Sequence, residues 1–180
     1  LPGVRAQWYH EAGKHGGTIN DIAVHGIDLL PWVTGIDYRR VVAARTWQAG
    51  PPPGSNFQNA GQFMLELANG AGVIADVSYL APNSHGYTLP LYWRLTLWGS
   101  LGVLEATLTA KEITLYKEGE KTARTVPIGT PNPGGYLEAF LAELKGRPHD
   151  GLKAPEIFRA SYVTLKIQEA ADRGLINTAL

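Results

Sequence analysis

Cysteine is absent from this 180-residue chain. That excludes disulfides, thiolate nucleophiles and Cys-ligated zinc or iron–sulfur centres, and it leaves the redox compartment open. An excess of charge is also missing. Sixteen Lys and Arg balance sixteen Asp and Glu without long runs, so no electrostatic footprint for nucleic acid or an anionic membrane surface is present. No apolar run approaches the roughly 20 residues that a spanning helix needs, and a soluble, cytoplasmic protein is the expectation. No His-x-x-x-His or Glu-x-x-His pair supports convergence of His10, His15, Asp21 and His25 on zinc, so no metal site is expected. A hydrophobic content of 44% over this length suffices for one ordinary core, and one domain is the natural count.

What is present concentrates in residues 16–35. Apolar residues recur at Ile19, Ile22, Ala23, Ile27, Leu30 and Val33, the spacing of a helix with one buried face. Asp21, His25 and Asp28 fall at i, i+4 and i+7, which at 3.6 residues per turn predicts a second, shared face. A carboxylate and an imidazole side by side can handle a proton. Gly16 and Gly17 allow a close approach at the start of the helix, Gly35 predicts its end, and Pro31 predicts a kink because it cannot donate to the Ile27 carbonyl. The lead-in holds Trp8, Tyr9, His10 and His15, which could wall a sugar site or simply cover the helix.

The order Gly16-Gly17, Asp21-x-x-x-His25, Ile27-Asp28-Leu29-Leu30 and Thr34-Gly35 resembles the start of the C-terminal domain in the Gfo/Idh/MocA family, which includes glucose-fructose oxidoreductase and inositol dehydrogenase. The resemblance implies that residues 1–180 are a single substrate-binding and oligomerising domain. It also implies a nicotinamide-dependent sugar or polyol dehydrogenase, with NAD or NADP held mainly by a preceding nucleotide-binding domain. The family's Glu-Lys-Pro lysine is not found; Glu120-Lys121-Thr122 only mimics it. A Gly-x-Gly-x-x-Gly turn between strand and helix is missing too, so no residue of this chain is assigned to the cofactor. The chain starts at Leu1 rather than methionine and is expected to be part of a longer protein.

Downstream, residues 39–48, 62–67, 73–80, 91–98, 103–108, 112–116 and 122–126 read as strands. Asn69-Gly70 and Gly99-x-x-Gly102 mark turns, the latter also similar to the family's pattern. Two helices follow, near 136–145 with an apolar stripe of Phe140, Leu141 and Leu144, and near 155–173 with Ile157, Ala160, Val163, Leu165, Ile167 and Ala171, stopped by Gly174. A helix, a run of strands and terminal helices indicate an α+β domain, an open antiparallel sheet with helices on one face in two layers. Residues 91–98 carry Trp93, Leu95 and Leu97 on one face and Tyr92, Thr96 and Trp98 on the other, which predicts a homo-oligomer assembled through the sheet.

For the chemistry, His25 is the candidate base, because oxidation of an alcohol requires removal of the hydroxyl proton and imidazole titrates near neutrality. Asp21 would bind the substrate hydroxyl or steady the imidazolium. Trp8, Tyr9 and His10, with His85 and Tyr87 in the long connection 81–90, are candidate substrate contacts. Two other readings use the same residues: a non-catalytic sugar-binding or assembly module, and a glycoside-cleaving enzyme with a bound nicotinamide. The chain alone is expected to fold but not to bind a nicotinamide or turn over substrate.

Overall fold

Strand β2, Ala60–Leu67, shows how the alternating sequence becomes structure: Phe63, Leu65 and Leu67 are buried while Gln62 and Met64 face outward. It sits inside a four-stranded antiparallel sheet of order β3-β2-β1-β8, in which β1 is Tyr38–Trp47, β3 is Gly72–Ser78 and β8 is Thr178–Ala179. The structure is a computed structural model that describes residues 5–50, 54–86, 88–89, 92–130, 134–151 and 153–180. The chain divides into two compact units, Pro82–Pro133 and the remainder.

In the larger unit, helix α3 (Ala154–Arg173) packs on β1, and helix α1 (Val24–Thr34) packs on α3. Ile19, Val41, Leu65, Val163 and Ile167 form the deepest core, each at most 1% exposed. The third helix, α2 (Gly135–Leu144), is tied to the start of α3 by the Glu143 carboxylate, which accepts from the Ala154 amide at 2.9 Å. Pro155 in the first turn of α3 has no amide to satisfy there, and Gly174 closes the helix in the left-handed region at φ 64°.

Five expectations change. The helix expected over 16–35 opens as a π-helical turn, Ile19–Ala23, before α1 begins, and α1 continues through Pro31 to Gly35. Its broken ladder is repaired from outside, since the buried Tyr38 hydroxyl donates to the Ile27 carbonyl at 3.0 Å. This is the carbonyl that residue 31 would serve were it not proline. Burial and the nearby Asp37 and Asp28 push the Tyr38 phenol well above its ordinary pKa, so it remains a donor.

The α+β class holds, with open antiparallel sheets, but the strands divide between two of them. The smaller unit carries the second, of order β4-β5-β6-β7: β4 Arg94–Gly99, β5 Gly102–Thr107, β6 Glu112–Lys117 and β7 Arg124–Pro127. Trp93 has a left-handed backbone, φ 51°, so β4 starts after it and neither Tyr92 nor Trp93 joins the alternation. The apolar stripe of α2 is not core: Phe140, Leu141 and Leu144 are exposed and only Ala139 is buried. On α3, Ile157 and Leu165 are also exposed, while Ala160, Val163, Ile167 and Ala170 face inward.

Tyr38→Phe keeps the ring and removes only the donor, leaving the Ile27 carbonyl buried without a partner. The expected loss is about 1–3 kcal/mol of unfolding free energy in urea; a variant as stable as the parent would show that water or a backbone shift satisfies that carbonyl.

Candidate active site

The site begins at Gly17, whose φ of 105° is open to glycine, and whose missing side chain leaves room for Gln168 of α3. A Cβ there would fall on the Gln168 amide group. Gln168 is buried, and its Oε1 accepts from the Ile19 amide at 3.1 Å, capping the π-helical turn. Buried Thr18 donates to the Gln58 carbonyl, and Asn20 Nδ2 donates to the Gly16 carbonyl at 2.6 Å. The helix start is thus anchored on three sides before Asp21 emerges.

The Asp21 carboxylate meets groups from the lead-in and from the end of β3. Its Oδ2 accepts a hydrogen bond from the Tyr79 hydroxyl and lies 3.6 Å from His15 Nε2 and 3.5 Å from the Tyr9 hydroxyl. Among the described residues the hydrogen bonds and the ion pair of the Asp21 side chain all fall on Oδ2, and the side chain is 43% exposed. Tyr79, itself buried, is set by its amide bond to the Asn59 carbonyl at 2.9 Å. Asn59 in turn exchanges two bonds with the backbone of Ala49. Behind the carboxylate the rings of Tyr9, His15, Phe57 and Tyr79 pack at centroid distances of 4.6 to 6.3 Å, with the Arg5 guanidinium 4.5 Å from the Tyr79 centroid.

His25 occupies the first turn of α1 and is exposed. Its charge bears on Asp28, whose carboxyl is raised above the ordinary range by burial and by Glu156, with His25 acting the other way. Asp28 lines a cleft of about 280 Å³ with Trp32, Tyr38, Glu156 and Arg159. Asp21 and Asp28 therefore have different neighbours rather than one shared face. The physical reason is the π turn Ile19–Ala23 that carries Asp21, whose i→i+5 bonding breaks the 3.6-residue phase assumed from spacing.

Comparison with known proteins now bears on this geometry. The family model described as "GFO/IDH/MocA C-terminal domain" matches residues 1–105. The chain belongs to this family. A Thermotoga maritima protein described as an oxidoreductase superposes with TM-score 0.83 at 23% identity, over 99% of this chain and 51% of that one. An aldose-aldose oxidoreductase from Caulobacter crescentus, complexed with glycerol, gives 0.72 at 19%, over 96% and 50%. A UDP-N-acetylglucosamine 3-dehydrogenase from Acidithiobacillus ferrooxidans gives 0.69 at 16%, over 87% and 47%. At these identities the likeness shows the fold, and this chain spans about half the length of each of these solved structures. A comparison with curated proteins returns no match.

Within this GFO/IDH/MocA domain the sequence-derived candidates separate. Tyr9 borders the Asp21 carboxylate, and Trp8 stacks on Tyr9 at 4.2 Å between centroids. His10 turns to Ser55, Nδ1 to Oγ 2.8 Å, and meets Phe57 edge-on. His85 is exposed at the end of a short 3₁₀ turn, Asn83–His85, in the smaller unit, and Tyr87 lies outside the described residues. Arg5, Phe57 and Tyr79 gave no sequence signal, and His15 stood out only as one of the lead-in histidines before the glycines. Among the described residues no group of three or more metal-ligating side chains occurs, and no helix is long and apolar enough to cross a membrane.

His15 links this site to stability. Its side chain is 9% exposed, and burial holds its pKa below the ordinary value of 6.5, against the opposing pull of Asp21. Below 6.5 the unfolded chain therefore binds more protons than the folded one, so stability falls as pH drops through the folded pKa. Urea midpoints measured from pH 7.5 to 5 are expected to decline more steeply in the parent than in His15→Gln; parallel curves would show that the imidazole is not buried neutral.

Proposed function

We propose that this domain is the substrate-binding half of a nicotinamide-dependent dehydrogenase acting on a sugar or polyol, with His25 as the base and Asp21 as acceptor for a substrate hydroxyl. The observation that carries the reading is that an exposed carboxylate, Asp21, and an exposed imidazole, His25, stand in consecutive turns at the start of the site helix. The names of two structural neighbours, an aldose-aldose oxidoreductase and a UDP-N-acetylglucosamine 3-dehydrogenase, support sugar chemistry for the fold. Trp8 and Tyr9 beside the carboxylate add stacking surface of the kind that sugars use.

No residue of this domain is assigned to a dinucleotide. The helix start behind Gly16-Gly17, the one place where a glycine turn meets a candidate catalytic helix, has its first buried amide taken by Gln168. NAD or NADP is therefore assigned to a preceding nucleotide-binding half, and no step is routed through it here. What this domain supplies is proton handling: Asp21 Oδ1 accepts from a neighbouring hydroxyl of the sugar or polyol and so orients the substrate, and His25 removes the proton of the reacting hydroxyl.

Assembly into a homo-oligomer through the second sheet is part of the proposal. No described residue between 82 and 130 is buried. Leu97, Leu104 and Leu115 stand opposite one another across β4, β5 and β6, and Trp98, Val103 and Tyr116 form the neighbouring row, with Trp98 82% exposed.

In the protein that carries its nucleotide-binding half, His25→Ala is expected to lower kcat about 10²–10⁴-fold with little change in KM, since a base acts mainly in the transition state. Steady-state reduction of NAD and NADP with a panel of aldoses and polyols reads this out, and parental turnover in the variant would rule out His25 as base. Light scattering at micromolar concentration is expected to give a dimer or larger species, converted towards monomer by Leu104→Glu; a monomeric parent would count against assembly through the sheet.

A further inference from the structure

Asp21 is exposed enough to meet solvent, yet its Oδ2 is the meeting point of three side chains from distant segments: the Tyr79 hydroxyl, Nε2 of His15 and, at the longest reach, the Tyr9 hydroxyl. Among the described residues the hydrogen bonds and the ion pair of the Asp21 side chain all fall on Oδ2. A carboxylate held by one oxygen and open at the other has a fixed orientation and one open acceptor atom. We propose that Tyr79 and His15 are positioning residues that clamp Asp21 Oδ2, so that Oδ1 alone presents an acceptor to a substrate hydroxyl. The inference rests on the substrate-binding reading of Asp21 given above and adds to it the two side chains that aim it.

The supports of the clamp are themselves fixed. Tyr79 follows β3 directly, is 3% exposed, and hangs from Asn59, whose side chain is locked to the Ala49 backbone. His15 is held between the rings of Tyr9 and Phe57, at 4.6 and 4.9 Å. Its buried Nε2 has no hydrogen-bond partner and stands 3.6 Å from Oδ2, so the carboxylate is the group it faces. The charged and titratable groups around this ring are Asp21 from the site helix, Arg5 and Tyr9 from the lead-in and Tyr79 from the end of β3. The Arg5 guanidinium lies over the Tyr9 and Tyr79 rings, 5.3 and 4.5 Å from their centroids, and keeps a positive charge beside the phenols. The neutral imidazole then faces Oδ2 as a polar contact at 3.6 Å, not as a counter-charge.

A positioning role differs from a packing role in being coupled to the group positioned. In the protein with its nucleotide-binding half, Tyr79→Phe is expected to lower kcat/KM about 10- to 100-fold, the scale for loss of a hydrogen bond to a charged group. In an Asp21→Asn background the same change should cost less than about twofold. Equal factors in both backgrounds would overturn the clamp. His15→Gln, which retains an N–H donor, should keep most of the activity that His15→Phe loses, and equal loss in both would remove His15 from it. A readout free of catalysis comes from ¹³C-labelled histidine NMR: the His15 pKa should fall in Asp21→Asn, and an unchanged titration would show that the two groups do not meet. Thermal unfolding of each variant separates folding defects from these effects. If His25→Ala keeps full turnover while Tyr79 and Asp21 remain coupled, the base assignment fails and the clamp stands; the reverse pattern removes the clamp alone.

Discussion

A single buried amide, that of Gln168, holds the molecule to its candidate site. Its Oε1 caps the Ile19 amide 149 positions earlier in the chain, and its Nε2 donates to Asp172 at 2.8 Å, so the last helix and the site helix are joined by a side chain with both ends engaged. Gly17 permits this closeness by having no side chain and by adopting a backbone angle that other residues resist. The cap sits at a π-helical turn, where the first amides of a helix would otherwise be buried without partners. Asp21 follows within that turn, and its direction is a consequence of the capped start.

The same economy of polar partners runs through the core. Pro31 takes a donor away from α1, and Tyr38, the first residue of β1, returns one to Ile27. Asn59 stitches the loop after β1 to the start of β2 through Ala49, and its own carbonyl receives the Tyr79 amide. Each bond contributes about 1 kcal/mol net, but each would cost more if left half-made in a buried place. The hydroxyls and amides of the larger unit therefore determine where its helices lie on the sheet as much as the apolar side chains do.

The exposed apolar surface has a different logic. Tyr136, Leu137, Phe140, Leu141 and Leu144 of α2, with Phe158 and Leu165 of α3, are open. The second sheet holds no buried residue among those described. Isolated apolar residues on a surface need no explanation, but helices and sheets that leave whole stripes open are typical of surfaces built to be covered. The relatives of this fold are about twice as long, in keeping with the proposal of a nucleotide-binding half and a second copy as the covering partners.

The sequence by itself determined the local units. Alternation placed seven strands within a few residues of their observed ends, Gly35 and Gly174 stop their helices where their freedom at positive φ predicts, and the Gly-Gly, Asp-x-x-x-His order identified the family. These features are legible because they depend on neighbours in the chain. Tertiary structure alone decided the rest. Whether Phe140 or Leu165 is core depends on what lies opposite, which periodicity does not encode; the division into two sheets depends on non-local pairing; the π turn stands where Gln58 and Gln168, both distant in sequence, anchor the helix start. The partners of Asp21 belong to that second group. Spacing pointed to His25, four residues away, whereas the hydroxyl that meets its carboxylate comes from Tyr79, 58 residues on, because hydrogen bonds are made between groups that the fold brings within about 3 Å, however far apart they stand in sequence.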